Sequence, residues 1–119
     1  MIRLSKVLVT AVATLALTIV LFGFPAQIGA EDAAVSVQLS IKNHRFQPTE
    51  IHAAANKPIV LKLKNLDATP MEFESVTLRV EKVVTGNGEG TIRLRPLAPG
   101  RYEFFDDFHP ESRGALVVR

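Results

Sequence analysis

The sequence predicts an all-β antiparallel sandwich, and three observations point to it. Apolar and polar residues alternate in short runs, turn-forming residues separate those runs at close intervals, and beyond residue 30 no stretch has helical spacing with caps. Val35, Val37, Leu39 and Ile41 fall on one face of the first run, with Ser36, Gln38, Ser40 and Lys42 on the other. A single helical turn fits only near Ala53 to Asn56. Ile59, Leu61 and Leu63 alternate with Lys62 and Lys64 and stop at the polar turn Asn65-Leu66-Asp67. Met71 to Val80 reads as extended, with Glu81 to Val84 continuing it. Thr85-Gly-Asn-Gly-Glu-Gly90 is then a glycine loop. Ile92 and Leu94 alternate with Thr91, Arg93 and Arg95, and Pro96 with Pro99-Gly100 supplies the next turn. Arg101 to Phe105 is the penultimate strand and Ala115 to Val118 the last.

The first residues read as a targeting segment. Arg3 and Lys6 precede an uncharged apolar run from Val7 to Phe24, followed by Pro25 and the small-residue stretch Ile28-Gly29-Ala30. This is the layout of a secretory signal peptide cut after Ala30, so residues 1–30 are assigned as signal peptide and 31–119 as the domain. The run is also just long enough to span a bilayer, which leaves an uncleaved membrane anchor as the alternative. Either way the folded part is exported. Outside residues 1–30 the basic residues balance the twelve acidic ones, so the net charge of +2 belongs to the targeting segment. That balance, with no aromatic stacking platform, excludes a nucleic-acid partner. With no cysteine there are no disulfides, and one apolar core must hold the domain.

Catalytic templates fail. The glycine loop lacks the Lys-Ser/Thr ending of a phosphate cradle and opens no helix, and no serine sits on a nucleophile elbow. The metal-ligand pattern near the carboxyl end is more telling. After the strand ending at Phe105, the chain reads Asp106-Asp-Phe-His109-Pro-Glu-Ser112-Arg-Gly114 and closes on an apolar strand. This resembles the Cys-x-x-His-x-x-Met loop of blue copper proteins of the amicyanin and plastocyanin kind, with Asp106 at the thiolate position, His109 kept and Ser112 at the thioether position. Asn65-Leu-Asp-Ala-Thr-Pro70-Met71 repeats the run that carries the other imidazole in amicyanin, but puts Met71 there. A thiolate copper centre therefore cannot form.

Acids stand in its place. Glu72 and Glu74 leave one face of a regular strand, and Asp107 shares a face with His109 provided the chain stays extended between them. Such oxygen and nitrogen donors suit Cu(II), iron or manganese. His44 follows the first strand and either approaches this site or caps a turn. His52 reads as a surface histidine, Glu81 as a supporting acid or a cross-strand ion-pair member, and Met71 as an axial donor or a packed side chain.

The order Phe46-Gln-Pro48, Asp67-Ala-Thr-Pro70, Glu72-Phe-Glu-Ser75, Glu81-Lys-Val83, Pro99-Gly-Arg-Tyr102 and Phe108-His109-Pro110 resembles the small periplasmic cupredoxin-like proteins that accompany bacterial iron permeases. The resemblance covers residues 35–119. It implies a Greek-key cupredoxin sandwich that binds a copper or iron ion and serves an inner-membrane iron permease or related uptake component. Its metal set falls on Glu72, Glu74, Asp107 and His109, with His44 and Glu81 less firmly placed, and Asp106 joins them from the vacated thiolate position. Met71 stands where an acid is usual in that group, and Asp106 where glycine or cysteine is. The resemblance implies an accessory of ferrous iron import, with Fe(II) oxidation as one role. With no thiolate to tune electron transfer, the expected mechanism is capture and delivery of the ion, and a metal-free interaction module is the rival reading. A homodimer is compatible with these constraints.

Overall fold

The computed structural model describes residue 23 and residues 33–119, so the assignments made for residues 1–30 lie outside the described residues apart from that one position. Nine strands follow: β1 (Val35–Lys42), β2 (Arg45–Gln47), β3 (Glu50–Ala53), β4 (Ile59–Asn65), β5 (Met71–Ser75), β6 (Val80–Val84), β7 (Glu89–Leu94), β8 (Gly100–Asp106) and β9 (His109–Val118). They form two sheets, ordered β2-β1-β4-β7 and β3-β9-β8-β5-β6. The all-β sandwich is as the alternation predicts, and the described residues contain no helix.

The sheets are mixed where antiparallel pairing was expected. β1 runs parallel to β4 from Val35 opposite Ile59 to Ile41 opposite Asn65, and β3 runs parallel to β9. Between β1 and β4 the chain passes through β2 in one sheet and β3 in the other, so β4 returns beside β1 in the same direction. Parallel neighbours need such a crossover, which alternation alone does not encode. The residues read as one extended run from Met71 to Val84 instead form a hairpin. Val76 to Arg79 turns the chain, with Arg79 in the left-handed region at φ 55°, and Glu72 then lies opposite Val83. Ala53 to Asn56 contains the end of β3 and a turn, not a helix.

The core lies between the sheets and runs the length of the sandwich, from Ile41 near one end to Ile59, Leu94 and Leu97 near the other. Phe46 of β2, Phe73 of β5 and Phe104 of β8 are almost fully buried. Phe104 sits 4.9 Å from both other rings, edge-on to Phe46 and tilted by 31° to Phe73. These rings join the two sheets by large apolar burial and favourable ring geometry. Gly114 is the gap that lets Phe104 in: a Cβ there would stand 2.5 Å from that ring and 2.8 Å from the Thr49 carbonyl oxygen. Gly114→Ala is therefore expected to cost about 1–3 kcal/mol through overpacking. Urea unfolding checks this, and a cost near zero would show that the ring can move aside.

Candidate metal centre

Three local features build one end of the sandwich. Lys42 pairs with Arg45, leaving Asn43-His44 as a two-residue hairpin turn with both residues at positive φ, 50° and 58°. Asn tolerates this conformation well, and the tight turn puts His44 at its tip. Asp67 fixes the turn by accepting the Asn43 N–H at 2.7 Å and the His44 N–H at 2.9 Å. Those bonds, with the nearby imidazoles, hold the Asp67 carboxyl below its usual range.

Asn65 secures the loops behind it. Buried at the end of β4, it donates through Nδ2 to the Thr69 oxygen at 2.8 Å and to the Val84 and Thr85 oxygens, and accepts the Asp67 N–H at 3.0 Å. The asparagine of the amicyanin-like run is thus kept as a loop clasp. Met71, by contrast, is 2 % exposed within the apolar core, so it packs and offers no open donor.

The third feature is the hairpin between β8 and β9. Asp106 pairs with His109 across the turn Asp107-Phe108, while Phe105 pairs with Arg113, so Pro110 to Ser112 bulge out of the ladder. Bulges of this kind re-aim side chains. Here Ser112 turns inward and donates its hydroxyl to the His44 carbonyl oxygen.

Two separate donor groups result. In the first, Asp106 is fully buried, its Oδ2 lies 3.3 Å from His109 Nδ1, and the His109 ring stacks on His44 with centroids 3.8 Å apart. One donor atom from each of His44, Asp106 and His109 lies within 4.8 Å of the others. In the second group, Glu72, Glu74 and Asp107 meet the same criterion on the outer face of β5. The Asp107 N–H donates to the Glu72 carbonyl oxygen at 2.9 Å, which brings its side chain beside them.

The expectation that Asp107 and His109 share a face required an extended chain. The turn at Asp107-Phe108 removes that condition, so Asp107 joins the glutamates and His109 joins His44. All six sequence-derived candidates lie in one group or the other. Glu81 stands opposite Glu74 in the β5–β6 register, which makes it a neighbouring like charge and not an ion-pair partner. His52 is exposed on β3, 3.4 Å from Glu50. Asp67 is the residue that sequence reading missed, because Asn65-Leu66-Asp67 signals a turn without revealing which N–H groups its carboxylate receives.

Partial burial first, then the charges of Asp107 and Glu81, push the Glu72 and Glu74 carboxyls above their usual range. A raised carboxyl means that the folded chain holds protons the unfolded chain has released. Stability is therefore lost as pH rises above 4.5, the ordinary glutamate value, until both groups are ionised. Without metal, Glu72→Gln or Glu74→Gln is expected to raise Tm at neutral pH and to flatten this loss. Thermal melts across the pH range check the sign, and a lower Tm at neutral pH would contradict it.

A family model for a cupredoxin-like domain matches residues 11–118. The chain belongs to the cupredoxin-like family. An uncharacterised protein of Rickettsia prowazekii (strain Madrid E) is 37 % identical over 87 residues, spanning 73 % of this chain and 70 % of that protein. Among solved structures, the metal-binding domain of the Streptococcus pneumoniae Cu(I)-exporting P-type ATPase CopA superposes with a TM-score of 0.67 at 16 % identity, covering 75 % of this chain and 89 % of that one. A Cu(I) form of an amicyanin variant gives 0.59 at 20 % identity over 76 % and 88 %. A purple cupredoxin from Nitrosopumilus maritimus gives 0.55 at 14 % identity over 71 % and 99 %. At these identities the structures establish the shared fold.

This cupredoxin-like domain has no thiolate to offer, since the chain has no cysteine and Asp106 fills the corresponding position. A type 1 copper centre does not fit its residues. The imidazole-rich group has the donors of a Cu(II) site, and the three-carboxylate group those of a site for a harder cation such as iron or manganese.

Proposed function

We propose that this is an exported metal-binding protein that captures a copper or iron ion in the periplasm and delivers it to an inner-membrane permease. The observation that carries the reading is the convergence of His44, Asp106, His109, Glu72, Glu74 and Asp107 into two three-donor groups at one end of the sandwich. His44 and His109 are both partly exposed, so an ion held there is within reach of a partner. Partial exposure of Glu72 and Glu74 serves the same end. Mutual repulsion among the acids favours cation capture, because a bound ion relieves it.

Titration of the purified protein with Cu(II), Fe(II) and Mn(II) tests the reading. The expected result is micromolar or tighter binding of at least one of them, lost on removal of the donors. No binding of any of the three overturns it and leaves a metal-free interaction module. The proximity of two donor groups of different character favours one second reading, an Fe(II)-oxidising component of the same uptake system. Its test is faster loss of Fe(II) in air than with a Glu72→Ala control.

A further inference from the structure

The end of the sandwich opposite the imidazole group has its own chemistry. Val35 begins β1 there: its N–H donates to the Pro58 oxygen at 2.8 Å, and its strand partner Ile59 pairs in turn with Leu94. The segment preceding Val35 therefore joins the domain at this end. β1 then runs to His44, which places the imidazole group roughly 25 Å away at the usual rise per strand residue, whereas Glu74 of the carboxylate group lies closer, one register step from the turn that carries Arg79.

The side chains gathered where that segment joins are basic. Arg79, Arg93 and Arg95 line one depression of about 280 Å³ that also exposes edges of Leu78, Leu94 and Leu97. All three arginines are exposed, and none forms an ion pair among the described residues. Lys57 adds a charge on the neighbouring loop, which is tied on by the Asn56 N–H donating to the Leu97 oxygen. The loops of this end, residues 54–58, 76–79 and 95–99, contain no acid. Arg79 also borders a second depression with Glu74 and Glu81, which leaves Arg93, Arg95 and Lys57 as the cations away from acids, and Glu31 and Asp32 upstream lie outside the described residues.

We propose that this end of the domain docks on an anionic phospholipid surface, the three guanidinium groups taking lipid phosphodiesters. Two observations select this occupant over others. The chain enters the domain at the basic end, so an apolar run retained upstream, Val7 to Phe24, tethers the domain from this side. The depression combines guanidinium forks, which match phosphate geometry, with an apolar lining, and anionic lipid surfaces attract such residues. Docking of this kind turns the imidazole group outward, away from the lipid, and leaves Glu74 and Glu81 at the edge of the contact. The proposal rests on the alternative reading in which residues 1–30 are kept as a membrane anchor, and it does not depend on metal binding.

Because the chain has no cysteine, Val76→Cys, at a position 77 % exposed on the loop leading to Arg79, accepts a single fluorophore. The full chain is reconstituted in phosphatidylcholine vesicles with and without phosphatidylglycerol, each carrying a headgroup quencher. The expected result is quenching that depends on phosphatidylglycerol and weakens in raised salt. Arg79→Gln, Arg93→Gln and Arg95→Gln together should lower the ratio of docked to undocked domain on the order of a hundredfold. Arg95→Gln alone, outside any strand, should give a fraction of that loss and covers a triple variant that fails to fold. Equal quenching in both vesicle types, or none lost with the arginines, overturns the proposal. So does release by inorganic phosphate beyond that of chloride at equal ionic strength, which marks a free-anion site.

Discussion

Asp106→Ala is expected to lower the unfolding free energy by about 2–6 kcal/mol, the range for stranding two buried backbone donors. Its carboxylate is fully buried and every bond it makes is internal. Oδ1 accepts the Glu72 N–H and the Phe108 N–H, each at 3.0 Å, and Oδ2 faces His109 Nδ1. Alanine strands both backbone donors and releases the imidazole, and each stranded donor costs about 1–3 kcal/mol. Asp106→Asn keeps an acceptor for the two N–H groups, so it should cost clearly less. Urea unfolding of the two variants measures the difference. An alanine cost under about 1 kcal/mol, or equal costs for both, would mean that Asp106 does not organise the turn.

The second large effect concerns separability. Glu72→Ala is expected to weaken Mn(II) or Fe(II) binding at the carboxylate group at least about a hundredfold, since removing a ligand costs no less than removing its supporting partner. Cu(II) binding at the imidazole group should change little. His109→Ala is expected to do the reverse, with loss of nitrogen hyperfine structure in the Cu(II) spectrum. Calorimetry with each metal on each variant distinguishes the two groups. If either substitution weakens both metals alike, the donors act as one site.

Legibility differed along the chain for physical reasons. β1 and β4 were readable because seven or more residues alternate without interruption, and a period of two needs that length to stand out. β2 and β3 have three and four residues and leave no such trace. The turn Val76-Thr-Leu-Arg79 contains no glycine, proline or asparagine, so nothing in its composition separates β5 from β6. Strand direction was also hidden, because the same alternation serves parallel and antiparallel neighbours.

At the metal centre, alternation was enough to put Glu72 and Glu74 on one face, where the structure also has them. Their division from the imidazoles was not readable. It depends on a tight turn at Asp107-Phe108 and a three-residue bulge after His109, where Asp107 and Pro110 signal a break in the strand but not which way the side chains leave it. The contact of His44 with His109 joins residues far apart in sequence through the Asp67 clasp, which no local pattern reports.

The turn at Asp107-Phe108 makes chain length itself part of the code. Asp106 and Asp107 are consecutive, yet each supplies a different cluster, so one peptide unit sits in both. Inserting or deleting a single residue between Phe105 and His109 would swap inward for outward along the hairpin and dismantle both clusters in one event. Sequence drift in relatives should therefore show a fixed count of residues between Phe105 and His109.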